Sequence, residues 1–282
     1  MHIDLHTHTT ASDGMLEPMQ LVQKARECGV RVLSITDHDT MAAYEDLVDR
    51  DTGLRLIPGI EWSTRWQKLE IHIVGLNVRP ENADLRDGIR QQQHSRMDRA
   101  DRIAAKLEKL GVDTPLAGAE RLAQNRHIGR PHFARHMVDC GFVRNESQAF
   151  DKYLSAGKAA YCRTEWAPME QVIEWTHSAG GLAVLAHPAA YKLTRSKLTS
   201  LIAGFKAAGG DAMEVVSGRQ TRDMTSTLAN LCRKQGLLAS CGSDYHRSAP
   251  GFAEPGGFET LPSACRPVWE SGFGDRGSGL VR

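Results

Sequence analysis

Short apolar stretches alternate with amphipathic segments along most of the chain, a pattern that predicts seven strands mostly followed by helices. The predicted strands are the opening residues and residues 30–36, 54–60, 69–78, 181–186, 212–216 and 237–241. The predicted helices of this repeating part cover residues 18–28, 41–50, 168–179, 198–208 and 225–235. Such alternation is typical of an α/β protein with a parallel sheet, which is either open or closed into a barrel.

The alternation stops between the fourth and fifth predicted strands. Residues 86–110 predict one long, polar helix, and more helical sequence follows to about residue 158, with breaks at Gly129-Arg130-Pro131 and Gly141. This block predicts a small helical domain inserted into the α/β domain. The predicted boundaries are residues 1–85 and 164–282 for the α/β domain and residues 86–163 for the inserted domain, here called the cap.

The composition is that of a globular protein with a full-sized core, with 41% hydrophobic and 24% charged residues among 282. A net charge of +1 argues against a generic polyanion binder. No apolar run approaches the ~20 residues of a membrane span, and the N-terminus lacks the features of a secretion signal. The six cysteines are scattered without C-x-x-C spacing, which is typical of reduced thiols. We therefore expect a cytoplasmic protein with no membrane association and no obligate protein partner.

The opening stretch carries the first candidate chemistry. Asp4, His6 and His8 alternate, and alternate side chains of a strand point to the same side. Ser12-Asp13-Gly14 follows as a predicted turn that can fold a carboxylate back over the imidazole pair. His and Asp are ligand types that Zn, Mn and Fe accept, so this stretch is a candidate metal-binding motif.

Further histidines and carboxylates lie at or just beyond the ends of other predicted strands, the edge where α/β proteins build active sites. Asp244 and His246 repeat the spacing of His6 and His8, and in a closed barrel the first and last strands would be neighbours. The full set of candidate metal ligands is His6, His8, Asp13, His38, Glu61, His72, His187, Asp244 and His246.

Each of these residues alone has a structural explanation. His72 inside an apolar strand and His187 before a proline would be hydrogen-bonded core histidines, and Glu61 would be a surface charge. An imidazole or carboxylate buried without a partner is costly, however, and a metal cluster would give all nine a common partner. The nine together therefore favour a metal centre.

Five motifs at these positions resemble, in combination, those of the polymerase and histidinol phosphatase (PHP) family. They are His6-x-His8 with Ser12-Asp13-Gly14, Thr36-Asp37-His38-Asp39, Gly59-Ile60-Glu61, His187-Pro188 and Gly242-Ser243-Asp244-x-His246. The resemblance implies a distorted seven-stranded (β/α) barrel with a trinuclear site at its C-terminal mouth. It also implies that the nine residues bind three divalent ions, with Glu61 bridging two of them. Mn²⁺ is the expected ion, and Zn²⁺ and Fe²⁺ are alternatives.

The charge of such a centre predicts its substrate class. Six neutral histidines and three carboxylates around three divalent ions leave a net charge of about +3, which favours an anion such as a phosphate ester over a neutral amide. We expect a metal-bound hydroxide to attack phosphorus directly, because no motif for a nucleophilic serine or cysteine is visible. The general acid is not identified. The residues assigned to catalysis are Asp13, His38, Glu61 and His246.

The cap carries the positive charge of the chain. Residues 86–163 contain 15 Lys and Arg against 9 Asp and Glu, net +6, whereas the remainder contains 20 against 25, net −5. Arginine side chains and the turns at helix ends bind phosphate well, so such residues of the cap are candidates for substrate binding. Each candidate could equally be an ordinary solvated side chain. Phe133 and Tyr161 are candidates for base stacking, although each residue type is more often part of a core. The substrate-binding candidates are Arg99, Arg102, Arg130, His132 and Lys158.

The segment from His127 to His132 is most similar to tryptophan-operon-linked members of the family. That resemblance implies a phosphatase acting on 3′,5′-nucleoside bisphosphates, for example converting pAp to AMP. Some relatives instead trim short RNA oligonucleotides from the 5′ end, so the expected partners are a small nucleotide or short single-stranded oligonucleotides. Three competing hypotheses are a histidinol-phosphate phosphatase, an amidohydrolase and a non-catalytic metal-stabilised module.

Overall fold

The computed structural model describes residues 2–124 and 127–271, which form a mixed α/β fold. The eight strands in these ranges are β1 Ile3–Asp4, β2 Val32–Leu33, β3 Arg55–Leu56, β4 Gly59–Trp66, β5 Leu69–Leu76, β6 Leu182–Leu185, β7 Ala212–Ser217 and β8 Leu238–Gly242. The α-helices there are α1 Pro18–Glu27, α2 Ala42–Glu45, α3 Ala83–Lys109, α4 Pro115–Leu122, α5 Arg130–Asp139, α6 Glu146–Ala149, α7 Met169–Ser178, α8 Arg195–Ala207 and α9 Arg222–Lys234. A π-helical turn covers Phe150–Leu154, and 3₁₀ turns cover Pro188–Tyr191 and Val268–Glu270.

The strands form two sheets. The first contains β1, β2 and β3 as parallel neighbours. The second contains β4 to β8 in chain order; β4, β5 and β6 are antiparallel neighbours, whereas β6, β7 and β8 are parallel. The β4–β5 hairpin reverses at Gln67, whose φ of 55° lies in the left-handed region.

The predicted closed barrel of seven strands is not confirmed, because the described residues form sheets of three and five strands. One reason is that the predicted strand 54–60 divides at Pro58, which has no N–H to donate to a sheet ladder. β3 ends before this proline and β4 begins after it. β4 then continues to Trp66 as one arm of a hairpin that the pattern does not predict.

The edges of the two sheets meet at two places. Single parallel bridges pair Thr7 with Tyr245 and His38 with Glu61. The first joins the segments that follow β1 and β8, and the second joins the segment after β2 to β4. Motifs from both ends of the chain are therefore brought to one edge of the molecule.

Four of the five helices predicted for the repeating part are confirmed, as α1, α7, α8 and α9. The fifth prediction, residues 41–50, is too long: only Ala42–Glu45 are α-helical, and turns follow. Tyr44 explains this shape, because its hydroxyl bonds the backbone of Ile35, Ile57 and Gly59 and holds the short helix against the strands. No helix in the described ranges is long and apolar enough to cross a membrane.

α3 connects two apolar cores. Leu85 and Ile89 in its first turns belong to the main core, whereas Ile103 and Leu107 belong to a second core that includes Phe133 of α5. The predicted start of the cap at residue 86 thus lies inside a continuous helix. The division into two domains remains a prediction.

Close packing of α3 on α7 gives a testable consequence. A Cβ at Gly88 would lie 2.5 Å from Cδ2 of the Trp175 ring, so Gly88→Ala should push the helices apart. We expect the free energy of unfolding to fall by about 1–3 kcal/mol, although alanine is the better helix former. Urea denaturation measures this, with Gln91→Ala at an exposed position of the same helix as the control. An unchanged or raised midpoint for Gly88→Ala would contradict the packing.

Candidate active site

Six imidazoles and three carboxylates form one compact group where the edges of the sheets meet. The structure brings together all nine predicted ligands, since each has a side-chain nitrogen or oxygen within 3.4 Å of another member. We call this group the His/Asp/Glu cluster. Its members are His6, His8, Asp13, His38, Glu61, His72, His187, Asp244 and His246.

Glu61 lies at the centre of the cluster and is fully buried. Its Oε1 is 3.0 Å from Nδ1 of His72 and 2.9 Å from Nε2 of His187. Its Oε2 is 2.8 Å from Nδ1 of His38 and 3.3 Å from Nε2 of His8. Burial alone would raise the pKa of Glu61, but the charges of His38 and His72 outweigh it and hold this pKa well below its usual range.

The β4–β5 hairpin explains how Glu61 and His72 meet. Glu61 is paired with Val74 and His72 with Ser63, so the two functional side chains are diagonal neighbours on one face. The sequence pattern places His72 inside an apolar strand, and the register shows which face it occupies.

Asp13 approaches the cluster from the turn after β1, as predicted. Its Oδ1 is 3.2 Å from Nε2 of His246 and 3.8 Å from Nε2 of His38. Burial would raise the pKa of Asp13, but His246 and His38 together hold it well below its usual range. Gly14 is needed for the tight turn, because a Cβ there would lie 2.4 Å from the carbonyl oxygen of His8.

Asp244 joins the two ends of the chain at the cluster. Its Oδ1 is 3.5 Å from Nε2 of His6 and 3.4 Å from Nε2 of His8, and its N–H donates to the carbonyl of His6 at 2.9 Å. Its φ of 54° is unusual for a residue other than glycine and is typical of a constrained functional site. The expectation that the first and last predicted strands place their motifs side by side is confirmed.

Two other aspartates hold the cluster's loops in position. The buried carboxylate of Asp4 accepts the N–H groups of Ser243 at 2.9 Å and Gly256 at 2.8 Å. The buried carboxylate of Asp37 accepts the hydroxyl of Ser12 at 2.5 Å. Burial raises the pKa of both carboxyl groups. Their contacts fix the turns that present the two ends of the chain to the cluster.

Glu214 is a functional residue that the sequence reasoning missed. Its Oε1 accepts Nδ1–H of His6 at 2.7 Å, and its Oε2 accepts the N–H of His187 at 2.5 Å. This fixes the His6 tautomer so that Nε2 faces the cluster. The sequence does contain a signal for this residue, because Glu214 is the one charged residue inside the apolar strand β7.

We expect Glu214→Gln to lower the affinity for a divalent ion about 10- to 100-fold. The amide keeps the size of the side chain but places an N–H₂ against either the His6 ring or the N–H of His187. Calorimetric titration with Mn²⁺ measures the effect, and Glu259→Gln at an exposed ion pair with Arg222 is the control. Equal affinities for the wild type and Glu214→Gln would remove Glu214 from the support of the site.

The cluster fits divalent metal ions. Three sets of its ligand atoms each lie within 4.8 Å of one another: His8/Asp13/His38/His246, His6/His8/Glu61 and His38/Glu61/His72. Several of its buried atoms make no well-directed hydrogen bond to the described residues, although His38 Nδ1 and Glu61 Oε2, and Asp13 Oδ1 and His246 Nε2, lie close together. These atoms are His8 Nδ1, Asp13 Oδ1, His38 Nδ1, Glu61 Oε2 and His187 Nδ1. Imidazole nitrogens and carboxylate oxygens left in this state are suited to transition-metal ions.

Two cavities border the cluster on different sides. The inner pocket, about 130 Å³, is lined by Asp13, His38 and His72 of the cluster and by the groups Arg96, Arg99, Arg130 and Trp166. The outer cleft, about 720 Å³, is lined by Asp13, His187, Asp244 and His246 and by the groups Arg219, Arg247, Phe150 and Phe252. A further cavity of about 910 Å³ lies beside α2 and α3 and contains no cluster residue, so we do not assign it to the chemistry.

The structure brings only two of the five predicted substrate-binding residues to these cavities. Arg99 and Arg130 line the inner pocket, and Arg130 donates to Oε2 of Glu70 at 3.0 Å. Arg99 is 5% exposed, and its guanidinium lies 4.8 Å from the ring centre of Trp166. It forms no ion pair with any described carboxylate. Burial, together with Arg96 and Arg130, lowers the pKa of Arg99 to about 9, and the carboxylates of Glu70 and Asp39 offset only part of this.

The structure places the other three predicted residues elsewhere. Arg102 of α3 and Lys158 in the irregular segment after Phe150–Leu154 are exposed and line neither cavity. His132 is buried, and its Nδ1 accepts the N–H of Gly129 at 2.9 Å, so it caps the start of α5. Burial lowers the pKa of His132 to about 4.

The candidates for base stacking are corrected as well. Phe133 is 1% exposed within the second apolar core, and Tyr161 lines neither cavity. The aromatic residues that do face the outer cleft are Phe150 and Phe252. Sequence reasoning also missed Arg96, which pairs with the buried Asp39 and lies 5.2 Å from the ring centre of Trp166.

Comparison with known proteins agrees with this geometry. The family described as PHP domain matches residues 4–208. The 5′-3′ exoribonuclease Rnm of Escherichia coli is 44% identical over 271 residues, which cover 95% of this chain and 92% of that protein. The 3′,5′-nucleoside bisphosphate phosphatase of Chromobacterium violaceum is 38% identical over 271 residues and 95% of each chain. A solved structure of an amidohydrolase from Chromobacterium violaceum, with bound sulfate and no metal, has a TM-score of 0.88 and 38% identity, covering 96% of this chain and 95% of its own.

The family match covers more than half of the chain, and the motifs that carried the resemblance are the residues that form the cluster. The cluster has the ligand types that a metal-dependent hydrolase of phosphate esters requires. The chain belongs to the PHP domain family of metal-dependent phosphoesterases.

Proposed function

We propose that the protein hydrolyses the 3′-phosphate of a nucleotide that also carries a 5′-phosphate, with a 3′,5′-nucleoside bisphosphate such as pAp as substrate and AMP as product. The observation that carries the proposal is the position of Arg99. It is a buried cation without an ion pair in the described part of the chain, and it lines the same pocket as Asp13, His38 and His72. A second phosphate bound there would supply its missing counter-charge.

The size of the inner pocket supports this assignment. At about 130 Å³ it is well below the ~300–1,000 Å³ of pockets that hold whole organic ligands. It suits a phosphate group, whereas the attached nucleoside would extend into the outer cleft. Arg99 and Arg130 present guanidinium groups there, and such groups bind phosphate in a bidentate manner.

We propose that the nine cluster residues hold three divalent ions, with Mn²⁺ as the expected ion and Glu61 shared between two of them. Ions bound there would activate water as the nucleophile and neutralise charge on the phosphate. Glu214 orients His6, Asp4 and Asp37 hold the ligand-bearing turns, and Arg99 orients the substrate through its second phosphate.

We propose the finer architecture as well. The two single bridges between the sheets support a distorted barrel, and residues 86–163 act as a cap over its mouth. The cap supplies Arg96, Arg99 and Arg130 to the inner pocket, so the local positive charge seen in the sequence lies beside the cluster.

A 5′-3′ exonuclease acting on short RNA is the second candidate, and the outer cleft favours it. The cleft is about 720 Å³ and contains Arg219, which is exposed and makes no ion pair within the described residues. The bond broken would be the same 3′-ester; only the additional nucleotide on the phosphate differs. A relative named as an exoribonuclease is also 44% identical, against 38% for the bisphosphate phosphatase.

Histidinol phosphate and neutral amides fit less well. Neither has a second phosphate, so the buried charge of Arg99 would stay without a partner, which is costly. No specific observation favours either substrate.

The test measures release of inorganic phosphate from pAp and from histidinol phosphate, and release of nucleoside monophosphate from a trinucleotide with and without a 5′-phosphate, all with Mn²⁺. Rapid conversion of pAp to AMP would support the proposal. Preference for the 5′-phosphorylated trinucleotide would establish the exonuclease instead. Preference for histidinol phosphate would overturn both. Cleavage of the two forms of the trinucleotide at equal, substantial rates would show that the 5′-phosphate is not recognised and would also overturn both.

A further inference from the structure

Phe252 is an exposed aromatic residue on the wall of the outer cleft. Its side chain is 43% exposed, and it lines the same cleft as Asp13, His187 and His246. The guanidinium of Arg247 lies 5.4 Å from the centre of its ring. The solvation free energy of the exposed ring is unfavourable, and contacts within this chain do not bury the ring.

The loop that carries Phe252 is anchored on both sides. Arg247 donates to Oε1 of Glu146 in the cap at 2.5 Å. Beyond the ring, the N–H of Gly256 donates to the buried carboxylate of Asp4 at 2.8 Å. The N–H of Phe252 itself donates to the carbonyl of Ala249 at 3.1 Å. The backbone that carries the exposed ring is therefore anchored on both sides of Phe252.

The sizes of the two cavities indicate where the base of a nucleotide must lie. The inner pocket has a volume of about 130 Å³. If one phosphate occupies this pocket and another lies at the cluster, too little of the pocket remains for the nucleobase. The outer cleft of about 720 Å³ continues from the cluster, because Asp13, Pro131 and Phe150 line both cavities. A base leaving the cluster on this side meets the wall that contains Phe252.

We propose that Phe252, with Arg247 beside its ring, is the stacking platform for a nucleobase of the substrate. The inference rests on the proposed function, since it assumes a nucleotide at the cluster. Stacking on an aromatic ring tolerates any base and adds affinity without reading sequence. Arg247 strengthens the platform, because a guanidinium beside an aromatic ring is attracted by its π-system. Phe252 thus acts in substrate binding and not in the chemical step.

The experiment compares Phe252→Ala and Phe252→Trp with the wild type, with Leu110→Ala as the matched control. Leu110 is also exposed, at 39%, but it lies at the end of α3 and lines neither cavity. Binding of AMP and of inorganic phosphate is measured by calorimetry with Mn²⁺ present, and KM and kcat are measured for pAp and for glycerol phosphate, which has no ring.

We expect Phe252→Ala to weaken AMP binding and to raise KM for pAp about 5- to 100-fold, with kcat nearly unchanged. Phosphate binding and KM for glycerol phosphate should not change, and Phe252→Trp should retain AMP affinity. Equal AMP affinity in wild type and Phe252→Ala, an equal loss for phosphate, or no AMP binding to the wild type would overturn the inference.

The two proposals fail in different ways. If the wild type converts pAp to AMP but Phe252→Ala behaves like the wild type, the stacking site is wrong and the proposed function stands. If the wild type hydrolyses neither pAp nor the trinucleotide, yet binds AMP in a manner that depends on Phe252, the proposed function is wrong and the base site stands.

Discussion

Asp13→Asn will lower kcat for the phosphate ester by at least about a hundredfold while the fold is retained. Asp13 contacts His246 and His38 and lines both cavities, so it lies at the point where substrate and cluster meet. Changing a group that only orients a metal ligand already costs about 10- to 100-fold, so removing the charge of a carboxylate that we propose as a ligand should cost more. The measurement is kcat for pAp at saturating Mn²⁺, with far-UV circular dichroism to verify folding.

Asp139→Asn is the matched control for this change, because Asp139 is an exposed aspartate at the end of α5, away from the cluster. Its activity should equal that of the wild type. A variant Asp13→Asn with full turnover would remove Asp13 from the catalytic site. Loss of activity together with loss of the circular dichroism signal would instead assign Asp13 to the stability of the fold.

Arg99→Met will raise KM for pAp about 10- to 100-fold and leave KM for glycerol phosphate unchanged. The expected size follows from losing a charged hydrogen bond to phosphate, which is worth about 1.5–3 kcal/mol. Methionine keeps an unbranched side chain beside Trp166 and removes the guanidinium, with its charge and hydrogen-bond donors. Initial rates over a range of substrate concentrations give both KM and kcat.

Arg102→Met provides a matched control, because Arg102 lies on the same helix and is exposed. It should not change either KM. Stability gives a second readout: Arg99 is a buried charge without an ion pair among the described residues, so its removal should not lower the free energy of unfolding. A clear loss of stability with unchanged KM values would make Arg99 a structural residue and would remove the basis for the second-phosphate site.

The comparison of Arg99 with Arg102 shows that helical spacing alone cannot predict which residues of a helix reach the substrate site. Residues three apart share a broad face of a helix, so both arginines are candidates for the substrate site on spacing alone. Burial separates them, because only one of the two turns towards Trp166 and the inner pocket. That choice depends on how α3 is rotated against its neighbours, which spacing within one helix does not contain.

Glu214 and Arg96 show the same limit for contacts that are distant in the chain. Glu214 supports His6 across 208 positions, and Arg96 pairs with Asp39 across 57 positions. Arg96 is ordinary in a polar helix, and Glu214 is unusual in an apolar strand, but neither local sequence identifies the partner. Only the folded chain shows that one glutamate carries two hydrogen bonds behind the cluster and that one arginine already has a buried counter-ion.

The cluster itself was determined by the sequence to a large extent. Alternation of His6 and His8, the turn at Asp13 and the repeated spacing at Asp244 and His246 are local features, because the geometry of strands and turns is set by nearby residues. The tertiary structure decided the sheet arrangement. Among the described residues the predicted strand 54–60 is divided at Pro58 between two sheets, and the chain reverses at Gln67 to form a hairpin. It also decided which cations reach the cluster and which aromatic ring faces the cleft, since both follow from how distant segments pack together.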